Sequence, residues 1–176
     1  GYTPFYHFIM QLYKFLLVLI VSCSCCVSNA GVNTKKLLIT NQREFDSFIE
    51  NLSKSPTEFT DTIELRTDID VASLKSTTRN FYGYFKGNNH KIKNLKYPLF
   101  SNVYGVIDSL VIDESGYIRL AYNVGTICAN NYGIIKSCVN NAEISFYSVN
   151  SEKGAVIGGI CASNSGCIIN CKNLGK

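Results

Sequence analysis

The sequence predicts an all-β fold of the parallel β-helix or β-solenoid type, with one short N-terminal α-helix as a cap. The segment "ICANNYGIIKSCVN" at Ile127–Asn140 recurs further along as "ICASNSGCIINCKN" at Ile160–Asn173, with eight of fourteen positions identical. After Val71 the chain consists of short β-branched runs broken by Gly and Asn, without helical periodicity. A repeat built from such runs is typical of stacked coils.

Length and composition limit the function classes. The 176 residues suffice for one domain, and 46% hydrophobic with 17% charged residues excludes a disordered chain. The net charge of +4 is modest, and a nucleic-acid binder would usually show a stronger and more clustered set of basic residues, so a nucleic-acid partner is not expected.

Residues 1–30 have the layout of an export segment, with the true start at the only methionine, Met10. Lys14 supplies a positive charge, an apolar run follows, and small residues lead to a signal-peptidase site after Ala30. The apolar run is shorter than the roughly 20 residues that span a bilayer, which disfavours a transmembrane anchor. The mature protein is therefore expected to be secreted or on the cell surface.

A second interpretation of the same segment stays open. Ile20-Val21-Ser22-Cys23 resembles a bacterial lipobox, in which the cysteine receives a lipid. Lipid attachment at Cys23 would tie the protein to a membrane, as in an outer-membrane-type lipoprotein, whereas cleavage after Ala30 would release it.

Residues 31–61 are predicted as a linker and a capping helix, the helix covering about 40–53. Its apolar residues recur at helical spacing on one face. Asn41 and Glu44 fit a capping box, and Pro56 ends the segment. The helix would cover the first open rung of the solenoid.

Residues 62–176 are predicted as the solenoid, beginning with a strand over 62–71 that buries every second residue. Its outward residues include Asp68 and Asp70, the best acidic candidates for catalysis, although a solvated outer face explains them better. Further along, a unit with Ile in the third position before Leu or Cys recurs at unequal separations; its copies are Ile92/Leu95, Ile107/Leu110, Ile135/Cys138 and Ile168/Cys171.

The cysteines and asparagines of the repeats are assigned structural roles. Three of the eight cysteines lie in the export segment, and an odd number remains, at Cys128, Cys138, Cys161, Cys167 and Cys171. Such a set favours packing over a disulfide framework, and no zinc-ligand spacing occurs. Asn131 and Asn164, each two positions before a glycine, are expected at corners.

Together these segments resemble GLUG repeats, the Gly- and Asn-rich units of bacterial surface proteins and some immunoglobulin-A peptidases. The resemblance runs over about residues 40–176, through "LRTDIDV", "FYGYFKGNNHKIKNLKYPLFSNVYGVIDSLVI" and the two related segments. It implies a right-handed parallel β-helix and no particular activity. The last repeat stops early at Lys176, so a longer protein is expected.

No nucleophile, metal, phosphate-loop or cofactor motif is present in the sequence, so no catalytic residue, metal or cofactor is assigned. One local basic strip is a candidate surface contact for acidic glycans or anionic surfaces, with a soluble outer face as the simpler explanation. The strip consists of Lys86, His90, Lys91, Lys93 and Lys96.

The sequence therefore predicts a non-enzymatic stalk or adhesin-like binding module. Its partner would be a surface ligand, either a host or matrix glycan or a protein. The alternative is the scaffold region of a larger secreted peptidase or glycan-active enzyme whose catalytic part lies outside this chain. A small glycan lyase is a third hypothesis, which no carboxylate cluster supports.

Overall fold

The computed structural model describes residues 35–54, 60–75, 79–120, 123–146 and 156–176. All of them belong to one compact unit, Asn33–Lys176. The predicted export segment, including Cys23 and Ala30, lies outside the described residues. In the part of the chain that the structure describes, no helix is long and apolar enough to cross a membrane.

The described chain begins with a strand where a linker was predicted. This strand, β1 (Lys36–Ile39), pairs in parallel with β2 (Thr62–Leu65), so that Leu37 lies beside Ile63. So short a strand with two adjacent leucines gives no clear alternation, which is why the pattern did not reveal it.

The predicted helix is present as α1 (Gln42–Lys54). The Glu44 N–H donates to Asn41 Oδ1 at 3.1 Å, and Glu44 Oε2 accepts from the Thr40 N–H at 2.6 Å. In a capping box the Glu44 carboxylate would accept from the N–H of Asn41, whereas here it accepts from the N–H of Thr40, one residue earlier. The helix buries its apolar face, and the Phe48 ring lies 6.4 Å from that of Phe81.

Three parallel sheets and one strand pair follow. In spatial order the first sheet contains β1, β2, β5 (Tyr84–Lys86), β8 (Val106–Asp108), β12 (Ile134–Lys136) and β16 (Cys167–Ile169). The second contains β3 (Ile69–Asp70), β6 (Lys91–Lys93), β9 (Val111–Ile112), β13 (Val139–Asn140) and β17 (Lys172–Asn173). The third contains β4 (Asn80–Phe81), β7 (Phe100–Val103), β11 (Cys128–Asn131) and β15 (Cys161–Asn164), and β10 (Tyr117–Leu120) pairs with β14 (Glu143–Phe146).

The chain visits the first, second and third sheets in turn and then returns to the next position in the first. Each such circuit is one coil, and parallel pairing stacks every coil on the one before it. The fold is thus mostly β, with parallel sheets and one short helix, in the β-solenoid-like class. The predicted strand over 62–71 divides into β2 and β3 because the chain turns a corner between Leu65 and Ile69.

Side chains in register form continuous apolar columns inside the coils. In the first sheet Ile63, Phe85, Ile107 and Ile135 are successive partners, all fully buried. Burying each such side chain contributes about 1.5–3 kcal/mol. The two related segments lie one on the other with the predicted offset, since Cys128 pairs with Cys161 and Ile135 with Ile168.

The predicted Ile-x-x-Leu unit is wrong in its first copy. Ile92 pairs with Ile112 in the second sheet, whereas Ile107 belongs to the first sheet. The same local geometry occurs at two different corners: Asn94, before Leu95, has φ 57°, and Ser109, before Leu110, has φ 52°. The Ile-x-x-Leu spacing across a left-handed residue therefore marks a corner, and it does not identify which corner.

The cysteines divide into two groups. Cys128, Cys138, Cys161 and Cys171 are free thiols, as the packing prediction requires, and the first three are buried. Cys167 departs from that prediction because it is disulfide-bonded. It alternates with the inward Ile168 and aligns with Ile134, so it belongs to the outward-facing positions of the first sheet.

Candidate ligand-binding face

Three tyrosines form a ladder on the outside of the coils. Tyr82, Tyr104 and Tyr132 each immediately follow a strand of the third sheet. The ring centroids of Tyr82 and Tyr104 lie 4.6 Å apart with 7° between the planes, and those of Tyr104 and Tyr132 lie 5.0 Å apart with 10°. The spacing of in-register strands brings identical side chains face to face.

Three asparagines form a parallel ladder, each two positions before a tyrosine. Asn102 Nδ2 donates to Asn80 Oδ1 at 2.7 Å, and Asn130 Nδ2 donates to Asn102 Oδ1 at 2.9 Å. All three amides are partly exposed. We call the surface formed by these side chains the tyrosine–asparagine face; it consists of Asn80, Tyr82, Asn102, Tyr104, Asn130 and Tyr132.

A column of glycines after the tyrosines brings the coils close together. A Cβ atom on Gly105 would lie 2.0 Å from the carbonyl oxygen of Gly83, and one on Gly133 would lie 2.0 Å from that of Gly105. Such distances exclude any side chain, so these positions require glycine for close approach. The tyrosine rings are thereby held in stacking contact.

The backbone beneath the face is fixed by a buried amide. Asn131 Nδ2 donates to Asn164 Oδ1 at 2.7 Å and to the Cys167 carbonyl oxygen at 3.2 Å, while its Oδ1 accepts from the Gly133 N–H. Asn131 is fully buried. The predicted position of Asn131 at a corner agrees with these bonds, since its side chain spans the turn into the next coil.

The tyrosine–asparagine face is exposed and uncharged. Tyr104 and Tyr132 have 42% and 50% of their surface accessible. Residues 80–83, 100–105 and 128–133 contain no ionisable group apart from the tyrosine hydroxyls and Cys128. The face therefore offers aromatic rings, hydroxyls and amides and carries no charged side chain of its own.

The predicted basic strip is largely paired with acids. Lys91 Nζ lies 2.9 Å from Asp113 Oδ2, and Lys93 Nζ lies 3.0 Å from Asp68 Oδ2. His90, which ends the turn after Gly87, places Nδ1 at 3.5 Å from Asp68 Oδ1.

The two other lysines of the strip differ from these. Lys96 is exposed, and Lys86 Nζ lies 5.2 Å from the centre of the Tyr84 ring. Neither makes an ion pair with another described residue. The five side chains thus lie in one coil, and aspartates of the two neighbouring coils compensate the charges of Lys91 and Lys93.

The two aspartates singled out from the sequence, Asp68 and Asp70, accept hydrogen bonds from the next coil. Asp68 accepts from the Lys91 N–H at 3.0 Å, and this bond, followed by that from Lys93, lowers the pKa of its carboxyl. Asp70 Oδ2 accepts from Asn94 Nδ2 at 2.9 Å. Both carboxylates are bound to groups of the next coil, an arrangement that does not resemble an acid–base pair.

A further charged group lies on the outer face of the first sheet. Tyr84 Oη donates to Asp108 Oδ2 at 2.6 Å, and Lys136 Nζ lies 3.2 Å from the same oxygen. Burial raises the pKa of Asp108, but the hydrogen bonds from Tyr84, Ser109 and Lys136 outweigh it, so the pKa is lowered. Glu64, Lys86, Asp108 and Lys136 alternate in sign along one column, which stabilises the stack.

Within the described ranges, no group of His, Cys, Asp and Glu side chains is arranged to hold a metal ion. Comparisons with family models, with curated proteins and with solved structures found no match to this chain. The class of protein is therefore given by the fold alone, as β-solenoid-like.

Sequence reasoning missed the tyrosine–asparagine face, although a signal for it exists. Asn-x-Tyr-Gly occurs at Asn80, Asn102 and Asn130, and the corresponding segment at Ser163 is Ser-Asn-Ser-Gly. The intervals between these copies match the register of the paired strands, in which Asn80 lies beside Asn102 and Asn102 beside Asn130. Alignment on the Ile-x-x-Leu unit obscured this motif because its first copy came from the wrong corner.

Proposed function

We propose that this chain is an exported, non-enzymatic β-solenoid of the stalk or adhesin type, which binds a neutral glycan through its tyrosine–asparagine face. The observation that carries the proposal is the ordered, uncharged ladder of exposed tyrosines and amides across three coils. In this proposal the fold is a right-handed parallel β-helix of GLUG-like repeats. The parallel pairing supports the handedness, because connections between parallel strands of one sheet are right-handed in about 98% of cases.

The chemistry of the face favours sugars over other ligands. Amide and phenol groups donate and accept hydrogen bonds, as sugar hydroxyls do, and aromatic rings contact the C–H faces of pyranoses. A nucleic acid or an anionic glycan would gain little from a surface without cations. Among the described tyrosines of the face, Tyr132 has the largest accessible fraction.

The stacking of the rings determines which groups a ligand can contact. Tyr104 lies between two rings, so it presents its edge and hydroxyl. Tyr132 has a ring on one side only, since the next coil carries Ser165 at the corresponding position. We therefore expect a sugar ring to stack on Tyr132, while further sugars of the chain bond to the hydroxyls and amides.

The test is retention of the full chain on insoluble neutral polysaccharides such as cellulose and chitin, with alginate as the anionic comparison. We expect retention on a neutral polymer that high salt does not remove. Tyr132→Ala should weaken it by about tenfold or more, and Tyr132→Phe by less, because the ring is kept. Thermal unfolding of each variant checks that the fold persists.

The matched control is the double variant Lys86→Ala, Lys96→Ala, which removes the two strip lysines that make no ion pair with another described residue. It should leave binding unchanged. If the lysine variant abolishes retention and Tyr132→Ala does not, the ligand is anionic and the basic strip binds it. Retention on no polysaccharide, or release of shorter sugars from the polymer, would also overturn the proposal, the latter in favour of an enzyme.

Export is tested separately at the N-terminus. If Cys23 carries a lipid, labelled fatty acid is incorporated into the parent chain in a bacterial host and not into Cys23→Ala. If cleavage follows Ala30, the mature chain begins at Gly31 and carries no label. A chain that keeps residues 1–30 inside the cell contradicts both.

A further inference from the structure

Four free cysteines lie in two pairs on successive coils. Cys128 of β11 is the register partner of Cys161 in β15. Cys138 and Cys171 directly precede Val139 and Lys172, which are register partners in β13 and β17. Both pairs thus join corresponding positions of the two related segments, and all four side chains are thiols in this structure.

The spacing of the coils suits a covalent bond within each pair. Neighbouring strands lie about 4.7–4.9 Å apart, and disulfides join Cα atoms that are about 4.4–6.8 Å apart. Cys138 Sγ and Cys171 Sγ contact carbonyl oxygens of their own coils, at 3.1 Å and 3.4 Å.

We propose that these two pairs are oxidation sites at which a small-molecule disulfide forms two inter-coil bonds, Cys128–Cys161 and Cys138–Cys171. The first bond would join β15 to β11 in the preceding coil. The second would join the coil of β16 and β17 to the coil of β12 and β13. The proposal does not depend on the glycan or on the export route. Neither bond involves Cys167, which is disulfide-bonded already.

The reaction starts at the more exposed and more acidic thiol. Cys171 is partly exposed, and the hydrogen bond from the Cys138 thiol lowers its pKa to about 6. Its thiolate attacks one sulfur of the small disulfide, forms a mixed disulfide and releases the first small thiolate.

The second step closes the bond. Cys138 loses its proton to the solvent and attacks the sulfur of Cys171, so the S–S bond to the small molecule breaks and the second small thiolate leaves. Each protein disulfide thus consumes one small disulfide and yields two small thiols. In the other pair the hydrogen bond from Cys128 lowers the pKa of Cys161, which is the attacking thiol there. Because Cys161 is almost fully buried, this pair should react more slowly.

Peptide mapping after treatment of the folded full chain with oxidised glutathione tests the proposal. Trypsin separates residues 120–136 with Cys128, 137–153 with Cys138, and 154–172 with Cys161, Cys167 and Cys171. We expect both of the first two peptides to become linked to the third. In Cys161→Ala only the 137–153 peptide should be linked, and in Cys171→Ala only the 120–136 peptide.

Three results would overturn it. The first is a stable glutathione adduct on Cys171 with the 137–153 peptide unlinked. The second is that Cys161→Ala and Cys171→Ala leave the same peptides linked to the 154–172 peptide. The third comes from hydrogen exchange. Closure should slow exchange of the amides in β16 and β17 by about tenfold or more and leave those of β5 unchanged, so equal changes in β5 and β17 would contradict inter-coil fastening.

Discussion

At the residue scale, buried and half-buried polar side chains serve mainly as bonds between coils. Asp113 is typical: its Oδ2 lies 2.9 Å from Lys91 Nζ of the preceding coil, and its Oδ1 accepts from the Ser115 N–H at 3.0 Å. The hydrogen bond with Lys91 is the largest cause that lowers the pKa of Asp113 to about 2. The carboxylate is therefore coupled to the stability of the stack.

The first prediction concerns this carboxylate. A depressed pKa stabilises the fold above the ordinary value near 4, and the contribution is lost as the pH falls toward 2. Between about pH 6 and about pH 2, the parent should lose up to about 2 kcal/mol more unfolding free energy than Asp113→Asn, which cannot titrate there. Urea unfolding across this range provides the measurement, and parallel curves for the two proteins would contradict it.

At the element scale, helix α1 closes the interior of the first coils. The ring centroid of Phe48 lies 6.4 Å from that of Phe81 and 6.1 Å from that of Phe85. The ring centroid of Phe85 in turn lies 6.1 Å from that of Phe100, which belongs to the same coil as Phe85, whereas Phe81 belongs to the coil before. An aromatic cluster thus connects the helix with two consecutive coils.

The second prediction tests that cluster. Phe48→Ala should cost about 3–5 kcal/mol of unfolding free energy, because a large buried ring leaves a cavity under the helix. Leu38→Ala on the exposed side of β1 is the matched control and should stay within about 0.5 kcal/mol. Equal losses in the two variants would mean that the helix does not seal the coils.

The elements also show which features a sequence can predict. The helix was predictable because its cap and its apolar face are local signals. The offset between the two related segments was predictable because identical residues repeat at a fixed distance. Strand β1 was not predictable because its two adjacent leucines give no alternation, and the two-residue strands have no period that a sequence pattern could show. The tyrosine–asparagine face needed the correct stacking register, which depends on turns such as that at Asn88 and Asn89, where both residues have positive φ.

At the scale of the whole coil stack, the contribution of an apolar side chain to the unfolding free energy should depend on whether a further coil covers it. Ile135 and Ile168 are partners in the same column of the first sheet. Ile135 is fully buried between neighbours, whereas 40% of Ile168 is accessible in this chain. Stability in such stacks is approximately a sum over neighbouring coils.

The third prediction follows from that difference. Ile135→Ala should lower the unfolding free energy by about 2–5 kcal/mol, and Ile168→Ala by about 1 kcal/mol, although the chemical change is identical. Denaturant titration of the two variants gives both values. A larger loss for Ile168→Ala would mean that the outermost described coil, not the interior, controls unfolding.

The connections between the sheets vary in length at one corner of the coils and are constant at another. The passage from the third sheet to the first is constant, with Tyr82 and Gly83, Tyr104 and Gly105, or Tyr132 and Gly133 between the strands. The passage from the second sheet to the third ranges from Lys93–Phe100 to Asn140–Cys161. Added residues between the second and third sheets therefore leave the tyrosine–asparagine face in register, so a foreign peptide inserted into the chain between β14 and β15 should not change the spacing of that face.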